Sequence, residues 1–268
     1  MSETMQAHYA RKDLVQSLLE DLTRAGHDPD ALRVSDLGEI DEFHVGKRKA
    51  SERLAPLLGL EQADALLDVG CGIGGPARFF AEATGARVTG IDLTPDFIEA
   101  ATELTRMVGL SDRVRFQLAS GTELPFEDGA FDATSLMHVG MNIEDKSTLL
   151  SEMARVTRPG GTVLVYDLMR INDGELSFPM PWASVARFSF VETEATYLDA
   201  AEAARLTPTE RISFHETALR FFDPPTESVP TTQEAGTAKP GRPERFQNAR
   251  QAVLLDLISP IAFIFRTG

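Results

Sequence analysis

One short stretch, LLDVGCGIGGPARFF at residues 66–80, constrains the fold more than any other part of the sequence. It begins as an apolar run typical of a buried parallel strand, passes through closely spaced glycines and ends with a helical pattern. Gly70, Gly72 and Gly75 have the G-x-G-x-x-G spacing, which lets a ligand contact bare backbone because no Cβ intervenes. The stretch therefore predicts a nucleoside-binding turn between a strand and a helix.

Strand and helix patterns alternate from Ala65 to Met169. Strands are predicted at ALLDV, RVTGID, RVRFQL, FDATSLM and TVLVYDL. Between the second and third strands, Thr94 is predicted to cap a helix that begins at Pro95 and continues through Met107. This alternation predicts an α/β fold with a doubly wound, mostly parallel sheet.

The sequence on either side of this core predicts additional elements of one single domain. Leucines at helical spacing from Leu14 to Leu22 predict a helix that Gly26 ends. We expect a helical cap over residues 1–60, a cofactor-binding core over 61–169 and a substrate lid with C-terminal strands over 170–268. Within the last part, the patterns predict a helix at 193–205, a strand at 212–222, an exposed loop at 223–243 and a final strand at SPIAFIFR.

Charge and cysteine content exclude several classes of function. The formal net charge is −15, from 26 Lys and Arg against 41 Asp and Glu, which disfavours nucleic-acid or anionic-membrane partners. The only cysteine, Cys71, excludes an internal disulfide framework and fits a reducing cytoplasm, where we read it as a packing residue. The His positions share no ligand spacing, so no metal is expected, and neither a signal peptide nor a membrane span is predicted. The oligomeric state stays open.

Two acidic residues near the glycines narrow the choice of ligand. Asp92, at the end of the second strand, can accept both ribose hydroxyls, in a nicotinamide dinucleotide or in S-adenosylmethionine. Asp68 precedes the glycines, where it would repel a pyrophosphate but attract the ammonium and sulfonium of S-adenosylmethionine. The alternative is that Asp68 caps a turn or pairs with Arg78.

Four motifs in order resemble those of class I S-adenosylmethionine-dependent methyltransferases: LLDVGCGIGGPARFF, VTGIDLTPDFIEAA, LPFEDGAFDATSLMHVGMNIEDK and EMARVTRPGGTVLVYD. The similar enzymes are small-molecule methyltransferases related to the ubiquinone, tocopherol, sarcosine/dimethylglycine and sugar O-methyltransferases. The resemblance covers residues 40–170. It implies a seven-stranded sheet whose last strand is antiparallel, and S-adenosylmethionine as the cofactor.

The resemblance also implies roles for individual residues. Gly70 and Gly72 would lie under the methionyl group, Asp92 would hold the ribose and Leu93 would pack on the adenine. Where the family often has an Asp that meets the adenine amino group, this sequence has Ser120, followed by Gly121. An FHVG segment would close over the methionine moiety. The candidate cofactor-binding residues are His44, Gly46, Asp68, Gly70, Gly72, Asp92, Leu93, Ser120, Gly121 and Met137.

On the acceptor side, His138 follows the fourth strand and Asp167 ends the fifth. A His oriented by a carboxylate is a good general base near neutral pH, and the sugar O-methyltransferases imply this role for the pair. We therefore predict methyl transfer to an oxygen or nitrogen of a small molecule, with sulfur and carbon acceptors left open. A nicotinamide-dependent oxidoreductase and a non-catalytic S-adenosylmethionine-binding protein remain alternatives.

Methyl transfer requires the exclusion of water, which predicts a lid over the site. The N-terminal helix and the aromatic segment at residues 178–190 are the candidates for this lid. Its apolar residues are either a wall of the acceptor site or the core of an appended subdomain: Phe178, Met180, Trp182, Phe188 and Phe190.

Overall fold

Seven strands form one sheet in the computed structural model, which describes residues 14–222 and 242–268. The strands are β1 (Ala65–Val69), β2 (Arg87–Asp92), β3 (Val114–Leu118), β4 (Phe131–Met137), β5 (Thr157–Arg170), β6 (Leu206–Ser213) and β7 (Ile258–Thr267). Their order is β3-β2-β1-β4-β5-β7-β6, and only β7 runs antiparallel to its neighbours. The predicted sheet, including its antiparallel last strand, is confirmed.

Helices cover both faces of this sheet. They are α1 (Leu14–Arg24), α2 (Val34–Leu37), α3 (Lys47–Leu54), α4 (Gly75–Thr84), α5 (Pro95–Met107), α6 (Lys146–Val156), α7 (Glu194–Ala203), α8 (His215–Phe222) and α9 (Arg242–Leu254). Successive β1 residues point to opposite faces: Leu66 packs with side chains of α3 and α4, and Leu67 with side chains of α6 and α7. Both leucines are fully buried, as a strand covered on both faces requires.

The N-terminal helix packs onto this core. Leu18 and Leu22 of α1 are buried in one cluster with Leu104 of α5 and Ile73 of the glycine loop. The helix ends at Arg24, and Gly26 follows with a φ of +89°, as predicted for a helix stop. Within the described residues, no helix is long and apolar enough to span a membrane.

The predicted strand at residues 212–222 is wrong, because β6 ends at Ser213 and α8 begins at His215. Phe214 and Ala218 are buried four residues apart, whereas Glu216 and Arg220 are exposed, which is a helical period.

Residues 223–241 of the predicted exposed loop lie outside the described part of the chain. The prediction extended the loop too far, because Arg242 already begins α9. Pro243 falls in the first turn of that helix, where the missing N–H of proline is not needed.

Candidate cofactor and acceptor site

A cavity of about 360 Å³ opens beyond the carboxyl ends of β1, β2 and β4. Ligands of open α/β sheets bind at this edge. The cavity is lined by the glycine loop after β1, by Asp92 at the end of β2 and by the β4 terminus at Met137 and His138. The structure thus brings together the chain segments that the sequence singled out.

The glycine loop needs glycine at its first position for two reasons. Gly70 has a φ of +74°, which disfavours residues with a Cβ, and a Cβ there would clash with the Val139 side chain. The N–H groups of Gly70 and Cys71 both donate to the Ile91 carbonyl at 2.8 Å, which ties the loop to β2. These hydrogen bonds fix the loop so that its backbone at Gly70, Cys71 and Gly72 lines the cavity.

Asp92 is fixed by backbone donors on both of its oxygens. The Gly72 N–H donates to Oδ2 at 3.1 Å, and the Thr94 N–H donates to Oδ1 at 2.9 Å. Burial raises the pKa of Asp92, and these hydrogen bonds partly offset that effect. A carboxylate has about four acceptor positions, so Asp92 can still accept hydroxyl groups from a ligand in the cavity.

Thr94 is the N-cap residue of α5 as predicted, although its side chain makes no capping hydrogen bond. The helix does begin at Pro95 and end at Met107 as predicted, and the Thr94 carbonyl accepts the Phe97 N–H at 3.0 Å. The Thr94 backbone N–H donates to Oδ1 of Asp92 at 2.9 Å. Thr94 thus links the start of α5 to the acid at the end of β2.

Asp68 is buried next to Val69, a cavity-lining residue, without lining the cavity itself. Its Oδ1 accepts from the Ser135 hydroxyl at 2.8 Å, and its Oδ2 has no hydrogen-bond partner among the described residues. Burial raises the pKa of Asp68 to about 6. The alternative pairing with Arg78 is wrong, because that guanidinium binds Asp41 at 2.9 Å. An unsatisfied buried carboxylate oxygen indicates a place for a donor or cation from a ligand.

The FHVG segment reaches the cavity through Phe43 and His44. The Nε2 atom of His44 lies 3.0 Å from Oε2 of Glu42, and both side chains are buried. Gly46 does not line the cavity. It is the N-cap residue of α3 with a φ of +82°, and a Cβ there would lie 2.9 Å from the Thr217 side chain, so packing already accounts for this glycine.

The structure divides the predicted cofactor residues into two groups. Ser120 lies outside the cavity lining, with its hydroxyl 2.9 Å from that of Thr122. The predicted residues that line the cavity are His44, Gly70, Gly72, Asp92, Leu93, Gly121 and Met137, and those that do not are Gly46, Asp68 and Ser120.

His138 has a strained backbone in the cavity wall. Its φ is +57°, uncommon for a non-glycine residue, and its N–H donates to the Tyr166 carbonyl at 2.7 Å. The ring is 4.7 Å from that of Tyr166 and 6.1 Å from that of His44, measured between centroids. Burial, and then the neighbouring His44, lower the pKa of His138 well below 6.5, so the imidazole is neutral at physiological pH.

The predicted orientation of His138 by Asp167 is wrong. Asp167 is fully buried, and its Oδ2 accepts from the Tyr197 hydroxyl at 2.7 Å and from the Met141 N–H at 2.9 Å. Its Oδ1 accepts from the Leu168 N–H at 2.8 Å. A buried carboxylate is stable only when it is hydrogen-bonded, and these nearer donors satisfy it.

The aromatic lid is only partly as predicted. Trp182 lines the cavity, whereas Phe178, Met180, Phe188 and Phe190 do not, and Met180 is fully buried in a neighbouring core cluster. Sequence reasoning missed the cavity residues of α8 and α9: Phe221, Phe222, Arg245 and Phe246. The helical period from Phe214 to Ala218 was the available signal for α8.

Comparison with known proteins identifies the central part of the chain. Residues 67–165 match the family described as "Methyltransferase domain". Methyltransferase GfsG of Streptomyces halstedii is 34% identical over 157 residues, which cover 59% of this chain and 54% of that protein. Tocopherol O-methyltransferase of Arabidopsis thaliana is 35% identical over 143 residues, 52% of this chain and 41% of the relative. The matches thus span about half the length of these relatives.

A solved structure extends the likeness of the fold to the whole chain. Geranyl diphosphate C-methyltransferase from Streptomyces coelicolor A3(2), in complex with S-adenosyl-L-homocysteine among other ligands, aligns with a TM-score of 0.71 at 19% identity, covering 100% of this chain and 99% of that one. The sheet order and its flanking helices match the Rossmann-like fold of class I methyltransferases. Residues 67–165 match the methyltransferase-domain model, and the predicted resemblance is confirmed there.

Proposed function

We propose that this protein transfers a methyl group from S-adenosylmethionine to an oxygen or nitrogen atom of a small-molecule acceptor. The observation that carries the proposal is a single cavity joining the glycine loop, Asp92 and His138 at the edge of a methyltransferase domain. The name of the tocopherol relative supports an oxygen acceptor.

The residues of the cavity fit a cationic nucleoside. Asp92 and Asp41 line it, and the unpartnered Oδ2 of Asp68 lies buried beside its wall. Arg78 already pairs with Asp41, so the carboxyl groups of Asp92 and Asp68 are the ones that attract a positively charged ligand and repel a pyrophosphate, which disfavours a nicotinamide dinucleotide. Asp92 would hold the ribose, and the backbone at Gly70 and Gly72 would lie against the methionyl group.

S-adenosylmethionine supplies an electrophilic methyl group that is transferred as the carbon–sulfur bond breaks and the electron pair stays on sulfur. The neutral imidazole of His138 takes the proton that a hydroxyl or amine acceptor loses. Met141 and Trp182 line the cavity with apolar surface, which excludes water from the reacting atoms.

Calorimetric titration with S-adenosylhomocysteine, S-adenosylmethionine and NAD⁺ tests the cofactor assignment. We expect binding of the first two and none of the third, whereas binding of NAD⁺ alone would support an oxidoreductase. Incubation of labelled S-adenosylmethionine with small-molecule extracts tests the reaction, since a product gains the mass of one CH₂ group. Tight cofactor binding with no labelled product from any extract would instead support a non-catalytic binding protein.

A further inference from the structure

One side of the cavity, formed by α8, α9 and the chain around Trp182, is aromatic. Trp182, Phe221, Phe222 and Phe246 line it. The Trp182 indole N–H donates to the Ser189 hydroxyl at 2.9 Å, which fixes that ring. The Phe222 ring lies 5.1 Å from Phe221 and 6.0 Å from Phe246, both edge to face. This wall favours an apolar or aromatic molecular body.

Arg245 of α9 lies in the same wall, and it is the only Lys or Arg among the described residues that line the cavity. Its Nη1 donates to the Met180 carbonyl at 2.7 Å, and its Nη2 donates to the Ser184 hydroxyl at 2.8 Å. Its Nε is buried and has no hydrogen-bond partner within the described part of the chain. No described carboxylate forms an ion pair with this guanidinium. The Arg245 side chain is therefore held in place by two hydrogen bonds, and its other N–H groups have no partner among the described residues.

We infer that the methyl acceptor is a largely apolar molecule carrying one carboxylate, which binds the guanidinium of Arg245. This inference rests on the proposed function. A guanidinium has five N–H donors in a planar fork that matches a carboxylate, and the two bonds to Met180 and Ser184 leave three of them.

Charge favours a monoanion over a more highly charged group. Asp41 and Asp92 line the same cavity, but Asp41 is already ion-paired with Arg78 at 2.9 Å. Arg245 and Asp92 are therefore the lining groups whose charges no ion pair compensates among the described residues, and a dianionic phosphate or a diphosphate would bring more negative charge than this one guanidinium offsets. The carboxylate is a recognition group, and the methyl group is accepted at another atom of the molecule.

Ligand-observed NMR on the protein loaded with S-adenosylhomocysteine tests this inference. The probes are aryl carboxylates from benzoate to naphthoate, each paired with its neutral primary amide. We expect the acids to bind at least about tenfold more tightly than their amides to the wild-type protein, and the preference to vanish in Arg245→Gln. Arg245→Lys should retain only part of it, since an ammonium lacks the planar fork.

Arg220→Gln is the matched control, because it removes an equal charge from an exposed position of α8 outside the cavity. It should keep the full preference for acids. Equal binding of acids and amides to the wild-type protein, or binding of neither, would overturn the inference even if the Arg245 variants fail to fold. Failure of the proposed function is distinguishable, because the wild-type protein would then not bind S-adenosylhomocysteine.

Discussion

The Oδ2 atom of Asp167 accepts hydrogen bonds from the Tyr197 hydroxyl at 2.7 Å and from the Met141 backbone N–H at 2.9 Å. These bonds join β5, α7 and the turn that follows His138. Burial raises the pKa of Asp167 to about 6, while the Tyr197 hydroxyl and the charge of Lys146 favour its ionised form. Since Met141 lines the cavity, Asp167 positions the cavity wall at Met141 rather than the imidazole of His138.

Replacing Tyr197 by Phe should therefore lower the free energy of unfolding by about 1–3 kcal/mol, because a buried carboxylate loses a donor. Urea denaturation measures this change. Tyr166→Phe is the matched control, since its buried hydroxyl donates at 2.8 Å to the neutral Val45 carbonyl and should cost about 1 kcal/mol. A loss in Tyr197→Phe no larger than in the control would contradict the role assigned to Asp167.

Replacing His138 by Asn should leave the affinity for S-adenosylhomocysteine unchanged and reduce turnover at least about 100-fold, if the imidazole takes the acceptor proton. Asn is the suitable variant because it tolerates the positive φ of this position better than Ala. Near-normal turnover would show that His138 only contributes to the wall.

The pH profile of the wild-type enzyme gives a second measurement on the same residue. A base must be unprotonated, and the pKa of His138 is lowered well below 6.5. At saturating cofactor, turnover should therefore stay level as the pH falls through 6.5, and an acid limb at or above that pH would argue against this assignment.

The parts of the fold with local sequence signals could be predicted, and the parts that depend on distant contacts could not. The glycine spacing and the position of Asp92 after a strand are local, and both lie at the cavity. The partner of Asp167 is Tyr197, thirty residues along the chain, and no periodicity links the two. Arg245 lines the cavity from α9, which packs on α8, and the sequence pattern predicts a strand where α8 lies.

Replacing Asp92 by Asn should weaken the binding of S-adenosylmethionine at least about 100-fold, since two charge-assisted hydrogen bonds to the ribose are lost. Calorimetry measures the affinity, and far-UV circular dichroism checks that the variant folds. Asp112→Asn removes an equal charge at an exposed position outside the cavity and should bind normally. Unchanged affinity in the Asp92 variant would refute the ribose assignment.

Because burial raises the pKa of Asp68, we expect a pH-dependent difference in the free energy of unfolding between the ligand-free wild type and Asp68→Asn. Its folded-state pKa of about 6 lies above the ordinary value of 3.8, so the native state holds this proton more tightly than the unfolded chain does. The contribution of the protonated Asp68 carboxyl to the stability of the folded state is complete below pH 4 and is lost as the pH rises through 6. Relative to wild type, Asp68→Asn should gain about 2 kcal/mol between pH 4.5 and 7.5, measured by denaturation. A pH-independent difference would contradict burial as the cause.

We also expect the binding of S-adenosylmethionine to release the proton that Asp68 carries at low pH. A cationic ligand beside the unpartnered Oδ2 favours the ionised carboxylate, so below pH 6 binding must release the proton that Asp68 carries. The affinity for S-adenosylmethionine should be level above pH 7 and fall towards about tenfold per pH unit below 6. Calorimetry in buffers of different ionisation enthalpy measures the released proton. Asp41 and Asp92 also line the cavity, and burial raises the pKa of both, that of Asp41 to about 6, so Asp68→Asn is needed to separate Asp68 from them. That variant should bind more weakly at neutral pH and release less proton at pH 5.5, and an unchanged proton release would assign the effect to the two lining acids instead.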